Sequence, residues 1–227
     1  TDGSPPDVMA LFEARLAGQP TPAPPYTLSD MAADGIDLLS ALGLDRAHVV
    51  GMSMGGMIVQ LMAIEHPDRV RSMTSIMSTT GNPAVGTSSP EALGALATPP
   101  PTERDPYIEH QVNLWRIISG PLYDPSYRRE RAGLTYDRMF WPTGAAFQLA
   151  AIIGAHDRTE QLGQLDLPAL VIHGRADPLV TLSGGEATAA AIPHAKLVVY
   201  NDMGHDLPPP LFQDYVSDVI TVMRRAD

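Results

Sequence analysis

The sequence predicts an α/β fold: a mostly parallel sheet flanked by helices, interrupted by a helical insertion. Three observations predict it. Short apolar runs alternate with helical patterns in the first and last thirds of the chain. The block between them, residues 80–160, carries helical patterns and no strand candidate. The chain has 227 residues, 44% of them hydrophobic, which suits one core built around such a sheet. The expected organisation is a first part of the core over residues 1–79, a helical cap or lid insertion over 80–160, and a second part of the core over 161–227.

Pro5, Pro6, Pro20, Pro22, Pro24 and Pro25 bracket a short helical pattern at residues 8–17. A second helix opens at TLSD, residues 27–30, where Ser29 or Asp30 can cap it. Met31, Ile36, Leu38, Leu39 and Leu42 form its apolar stripe, and Gly43 ends it. RAHVVG, residues 46–51, reads as a short buried strand, and MGGMIVQLMAIE, residues 54–65, as an apolar helix ended before Pro67. Residues 69–77 are a second strand. Residues 79–105 are rich in Gly, Pro, Ser and Thr and break the rhythm; helices follow at about 106–119, 125–138 and 144–155. The alternation then returns: a strand at 169–174, a helix at 183–191, a strand at 196–200 and a closing helix at 211–225.

Composition excludes several classes of function. A formal net charge of −11 repels phosphate, so no nucleic-acid partner is expected. Cysteine is absent, which removes disulfides, iron–sulfur clusters and thiolate zinc sites. His110, His156 and His194 have no partners at metal-ligand spacing, so neither a metal nor a cofactor is expected. No apolar run approaches the roughly 18 residues of a membrane span. The first residues carry no basic segment followed by an apolar one, and a cytoplasmic address is the expectation.

Chemistry concentrates in GMSMG, residues 51–55, which matches G-x-S-x-G between an apolar strand and an apolar helix. Close packing explains the glycines: side chains at Gly51 and Gly55 would collide as strand and helix close around Ser53. The serine then stands at a helix N-terminus, where free N–H groups favour negative charge and the Met54 N–H can donate to an oxyanion. The competing reading is a capping serine or a phosphate cradle, although neither G-K-[ST] nor G-x-G-x-x-G is present.

A serine nucleophile needs a base, and the base needs an orienting acid. Asp177 follows the strand that ends at Gly174, and His205 follows the strand that ends at Tyr200. Both therefore fall at the sheet edge where Ser53 lies. Asp177 could instead only cap the turn at Pro178, and His205 could be an ordinary loop histidine. Asp202 and Asp206 are rival acids, too near His205 in sequence to reach it from across a strand. His173 sits beneath Asp177 in a supporting position. Trp115, Phe140 and Trp141 either line an apolar substrate pocket or form the insertion's own core.

These residues resemble the α/β-hydrolase superfamily. GMSMGG is similar to its nucleophile elbow, HPDRV (residues 66–70) to the segment after the elbow helix, HGRADPLV (173–180) to its acid loop and NDMGHD (201–206) to its histidine loop. The resemblance covers about residues 27–80 and 160–227, and is closest to carboxylic ester hydrolases related to aclacinomycin methylesterase and lipase-like bacterial enzymes. It implies a Ser53–His205–Asp177 triad that hydrolyses a small to medium apolar ester. Thioester, lactone or C–C hydrolysis, cofactor-free perhydrolysis and ligand binding without turnover are the alternatives. Ser53 argues against the dehalogenases and epoxide hydrolases of the superfamily, which use an aspartate. Family members carry an H-G type oxyanion motif and several strands before the elbow, and neither precedes Ser53 here. The expectation is a C-terminal part of a longer protein, with Ser53's strand near the edge of a four-stranded sheet and an N-terminal segment of the same protein as its missing partner.

Overall fold

Four short runs rich in branched and apolar residues become strands: β1 (Ala47–Met52), β2 (Val70–Ile76), β3 (Ala169–Gly174) and β4 (Lys196–Tyr200). The computed structural model describes residues 4–226. All three pairings are parallel and the order is β1-β2-β3-β4, so β1 is an edge strand among the described residues. β3 is buried at every position, as a strand covered on both faces must be. β1 is not, and Val50 is 47% exposed.

Helices cover the two faces. α1 (Val8–Leu16) precedes α2 (Leu28–Ala41), and α3 (Met54–Glu65) links β1 to β2. The cap of α2 is Thr27 rather than Ser29 or Asp30. Its hydroxyl accepts the Asp30 N–H while the Asp30 carboxylate accepts the Thr27 N–H, a reciprocal box that serves two otherwise unpaired donors. The apolar stripe of α2 is only half used. Ile36 is buried with Leu28 and Ala32 against α3, but Leu38 and Leu42 are 60% and 64% exposed because their face turns away from α3. α3 is apolar on most sides because it lies between α2 and the sheet.

Five helices separate β2 from β3: α4 (Pro90–Ala97), α5 (Arg104–Ile118), α6 (Pro125–Arg138), α7 (Gly144–Ile153) and the single turn α8 (Thr159–Leu162). No strand occurs there among the described residues. α4 lies inside the stretch read as irregular. Its Ser89 side chain accepts the Ala92 N–H and Pro90 opens the helix, so Ser and Pro here mark a helix start rather than a loop. Arg104 with Asp137 and Arg129 with Glu109 tie α5 to α6 across the surface. α9 (Leu182–Ala191) covers β3, and α10 (Phe212–Met223), entered through a 3-10 turn at Pro209–Leu211, closes the opposite face around Tyr215 and Val222. No helix among the described residues is long and apolar enough to cross a membrane.

Candidate active site

β1 turns into α3 without a loop, and the turn requires unusual backbone. Ser53 has φ 55° and ψ −118°, outside the regions open to most L-residues. Neighbouring contacts hold it there. The Ser53 N–H donates to Ile76 O at 2.9 Å, and its own carbonyl accepts the Gly56 N–H at 2.9 Å. A Cβ at Gly51 would lie 2.0 Å from Gly55 O, so Gly51 is required as expected. Gly55 is not: nothing lies within 4 Å of a Cβ built there. The second demanding glycine is Gly56, whose Cβ would meet the Ser78 Cβ at 2.5 Å, because α3 presses on the exit of β2 rather than on the turn.

The Ser53 side chain makes no capping bond to α3. Its Oγ is 2.9 Å from His205 Nε2, and His205 Nδ1 is 2.8 Å from Asp177 Oδ2. The two oxygens of Asp177 have different partners. Oδ1 accepts the N–H groups of Leu179 and Val180, each at 2.9 Å, and so shapes the turn; Oδ2 faces the imidazole. The carboxylate fixes the tautomer: Nδ1 carries the proton, and Nε2 is left to accept one from Ser53. Asp177 and His205 are 4% and 3% exposed, so this chain is shielded from water while Ser53 itself is half-buried. Met54 starts α3, and its N–H, like others of the first turn, has no intrahelical acceptor.

The acid and histidine loops brace each other. The Ala176 N–H donates to Met203 O at 3.1 Å, and Gly174 lies so close that its Cβ would be 2.2 Å from the same oxygen. Fully buried His173 donates from Nε2 to Val180 O at 2.7 Å, closing the acid loop from below, with Asp177 Oδ2 at 3.6 Å. Its Nδ1 faces Gly185 of α9 and has no hydrogen-bond partner. Burial therefore holds this imidazole below the ordinary histidine range. Asp202 is exposed, while Asp206 is buried and accepts from Gly204 N–H rather than from His205.

The three aromatic candidates keep company within the insertion. Trp115 lies under the Arg128 guanidinium, 3.4 Å from the ring centroid. Phe140 packs with Tyr107 and Tyr136, and Trp141 stacks on Phe147. None of them lines the apolar cavity of about 560 Å³ beside Met57, one turn along α3 from Ser53. That cavity is bounded by Thr79, Val85, Leu93 and Ile153, and by two arginines, Arg15 and Arg158. Arg158 is fully buried and bonds Gln60, Thr79 O and His156 O. Burial pushes its guanidinium down to about 10. Sequence reading passed over it, since an Arg beside a helix start resembles any surface charge. No group of His, Asp and Glu suited to a metal occurs among the described residues.

A model of the α/β hydrolase fold matches residues 15–122 and 126–208. This chain belongs to the α/β-hydrolase family. The hydrolase is similar to rhodomycin D methylesterase DauP of a Streptomyces species, 25% identical over 89% of this chain and 75% of the relative. It is also similar to the 2-hydroxy-6-oxononadienedioate/2-hydroxy-6-oxononatrienedioate hydrolase of Paraburkholderia phymatum, 31% identical over 74% of this chain and 59% of the relative. Among solved structures, the meta-cleavage product hydrolase of Pseudomonas fluorescens shares the fold with a TM-score of 0.69, at 24% identity over 89% of this chain and 73% of that one.

Proposed function

We propose that the hydrolase cleaves a carboxylic ester through an acyl-enzyme. The observation that carries this reading is the unbroken chain from Ser53 Oγ through His205 to Asp177, with the serine hydroxyl not spent on capping its helix. Ser53 Oγ attacks the ester carbonyl as His205 Nε2 takes its proton. The Met54 N–H donates to the oxyanion. Collapse of the tetrahedral intermediate expels the alcohol, protonated by His205. Water, deprotonated by His205, then attacks the acyl-enzyme, and the carboxylic acid leaves as His205 returns the proton to Ser53 Oγ. Asp177 holds the imidazole tautomer and stabilises the imidazolium throughout.

The apolar cavity beside Met57 suits the body of a small to medium apolar ester, and the 25% identical methylesterase supports ester chemistry. Fluorophosphonate labelling tests the nucleophile. The protein is expected to label at Ser53 and to hydrolyse short p-nitrophenyl esters, with both lost in Ser53→Ala by roughly a millionfold in rate. Labelling that survives the substitution would end this reading. A second reading, hydrolysis of a carbon–carbon bond beside a ketone in a carboxylate-bearing substrate, is favoured by half-buried Arg15 on the same cavity and by the 31% identical relative. Turnover of a vinylogous 1,5-diketone carboxylate faster than of any ester would select it.

A further inference from the structure

The first half of the insertion is joined by hydrogen bonds to both the acid loop and the histidine loop. At its start, the Ser88 hydroxyl donates to Leu179 O at 2.5 Å and the Ser89 N–H donates to Pro178 O at 2.8 Å. Both acceptors follow Asp177 directly. Leu179 also packs among Ala92 of α4 and Ile118 of α5. At the other end of α5, Ile118 O accepts the backbone N–H of His205 itself at 2.7 Å.

Asp206 closes this second joint. It is 4% exposed, and its Oδ1 accepts two backbone N–H groups, Gly204 at 3.0 Å from the histidine loop and Gly120 at 3.3 Å from the insertion. The two glycines are in backbone contact. A Cβ at Gly120 would lie 2.5 Å from Gly204 N, and one at Gly204 would lie 2.3 Å from Gly120 N. A buried acceptor oxygen shared by two amides from separate segments fixes their relative position, because parting the segments would leave a buried N–H without its acceptor. Arg128 of α6 lies over Trp115 of α5, 3.4 Å from the ring centroid.

We propose that Asp206 is a positioning residue for His205, locking the histidine loop to the end of α5, so that residues 88–120 are the mount of the triad. This rests on the reading of His205 as the base. Opening of the insertion for substrate is then confined to the segment after α5, since movement of α5 would drag the His205 backbone with it.

The experiment compares Asp206→Ala, Asp206→Asn and Gly120→Ala by kcat, KM and thermal melting on a short ester that the parent protein hydrolyses. Parent activity lost with His205→Gln secures the base reading first, so a failure there is told apart from a failure here. The expected result is a roughly hundredfold lower kcat with KM little changed in Asp206→Ala, the scale of an ångström-sized misplacement of a reacting group. Asp206→Asn keeps the Oδ1 acceptor and should recover most of that rate. Gly120→Ala, acting from the insertion's side of the joint, should reproduce the kcat loss without touching the histidine loop in sequence. A folded Asp206→Ala protein with parental kcat overturns the proposal. So does Asp206→Asn as slow as Asp206→Ala, which would make the charge, not the joint, the determinant. If Gly120→Ala does not fold, the Asp206 pair decides alone.

Discussion

At the residue scale, Asp177 does two jobs that the sequence presents as alternatives. One oxygen shapes the turn through the Leu179 and Val180 N–H groups, and the other faces His205. Asp177→Asn keeps an acceptor for the turn but presents an amide to Nδ1, which favours the wrong tautomer. The expected outcome is a folded protein with kcat about ten-thousandfold lower, read on the same ester as the parent. His173 is a second case. Because burial lowers its pKa in the folded chain, the unfolded chain binds a proton below about pH 6.5 that the folded chain refuses. Stability from this site is therefore complete above that pH and is lost as pH falls toward the lowered value. In His173→Gln the melting temperature should drop at pH 7.5, where the Val180 contact is weakened, and decline less steeply than the parent's between pH 6.5 and 5. An unchanged slope would contradict the assignment.

At the element scale, the elbow was legible because strand, serine and helix follow without a gap, and only a sharp turn joins them. Which glycines the turn needs was not legible, because spacing does not say where α3 meets β2. Gly51→Ala and Gly56→Ala should unfold or strongly destabilise the protein, since built Cβ atoms lie 2.0 Å and 2.5 Å from their nearest neighbours. Gly55→Ala meets open space in a helix, and should be neutral or raise stability by up to about 1 kcal/mol in chemical denaturation. The cap of α2 is Thr27, two or three residues before the caps the sequence offers, for a related reason. Thr27, Ser29 and Asp30 all can cap; the entry angle of the chain decides, and it made Asp30 the reciprocal partner of Thr27. The Thr27 amide and hydroxyl hold the Asp30 carboxylate below its usual range. Thr27→Ala should cost about 1 kcal/mol.

At the scale of the whole molecule, the strand order leaves β1 unpaired on one side among the described residues, with Val50 47% and Met52 38% exposed. Leu38 and Leu42 on α2 are exposed as well. Open apolar edges pair with other chains. Light scattering over a concentration series should therefore show self-association that falls in a Leu42→Glu, Val50→Lys variant; equal association in the two proteins would refute this.

By itself the sequence determined the alternation of strands and helices, the four strands, and the meeting of Ser53, Asp177 and His205, because each of those features is a local pattern that ends at a predictable edge of a parallel sheet. It also determined the net charge of −11 and the absence of cysteine. Tertiary structure alone decided that Gly56 rather than Gly55 is crowded, that half the α2 stripe faces outward, that Arg158 is buried, and that Asp206 joins the insertion to the histidine loop. Each of these depends on which surfaces meet between segments far apart in the chain, 98 residues for Arg158 with Gln60 and 86 for Asp206 with Gly120, and contact between distant segments leaves no period or spacing in the sequence to read.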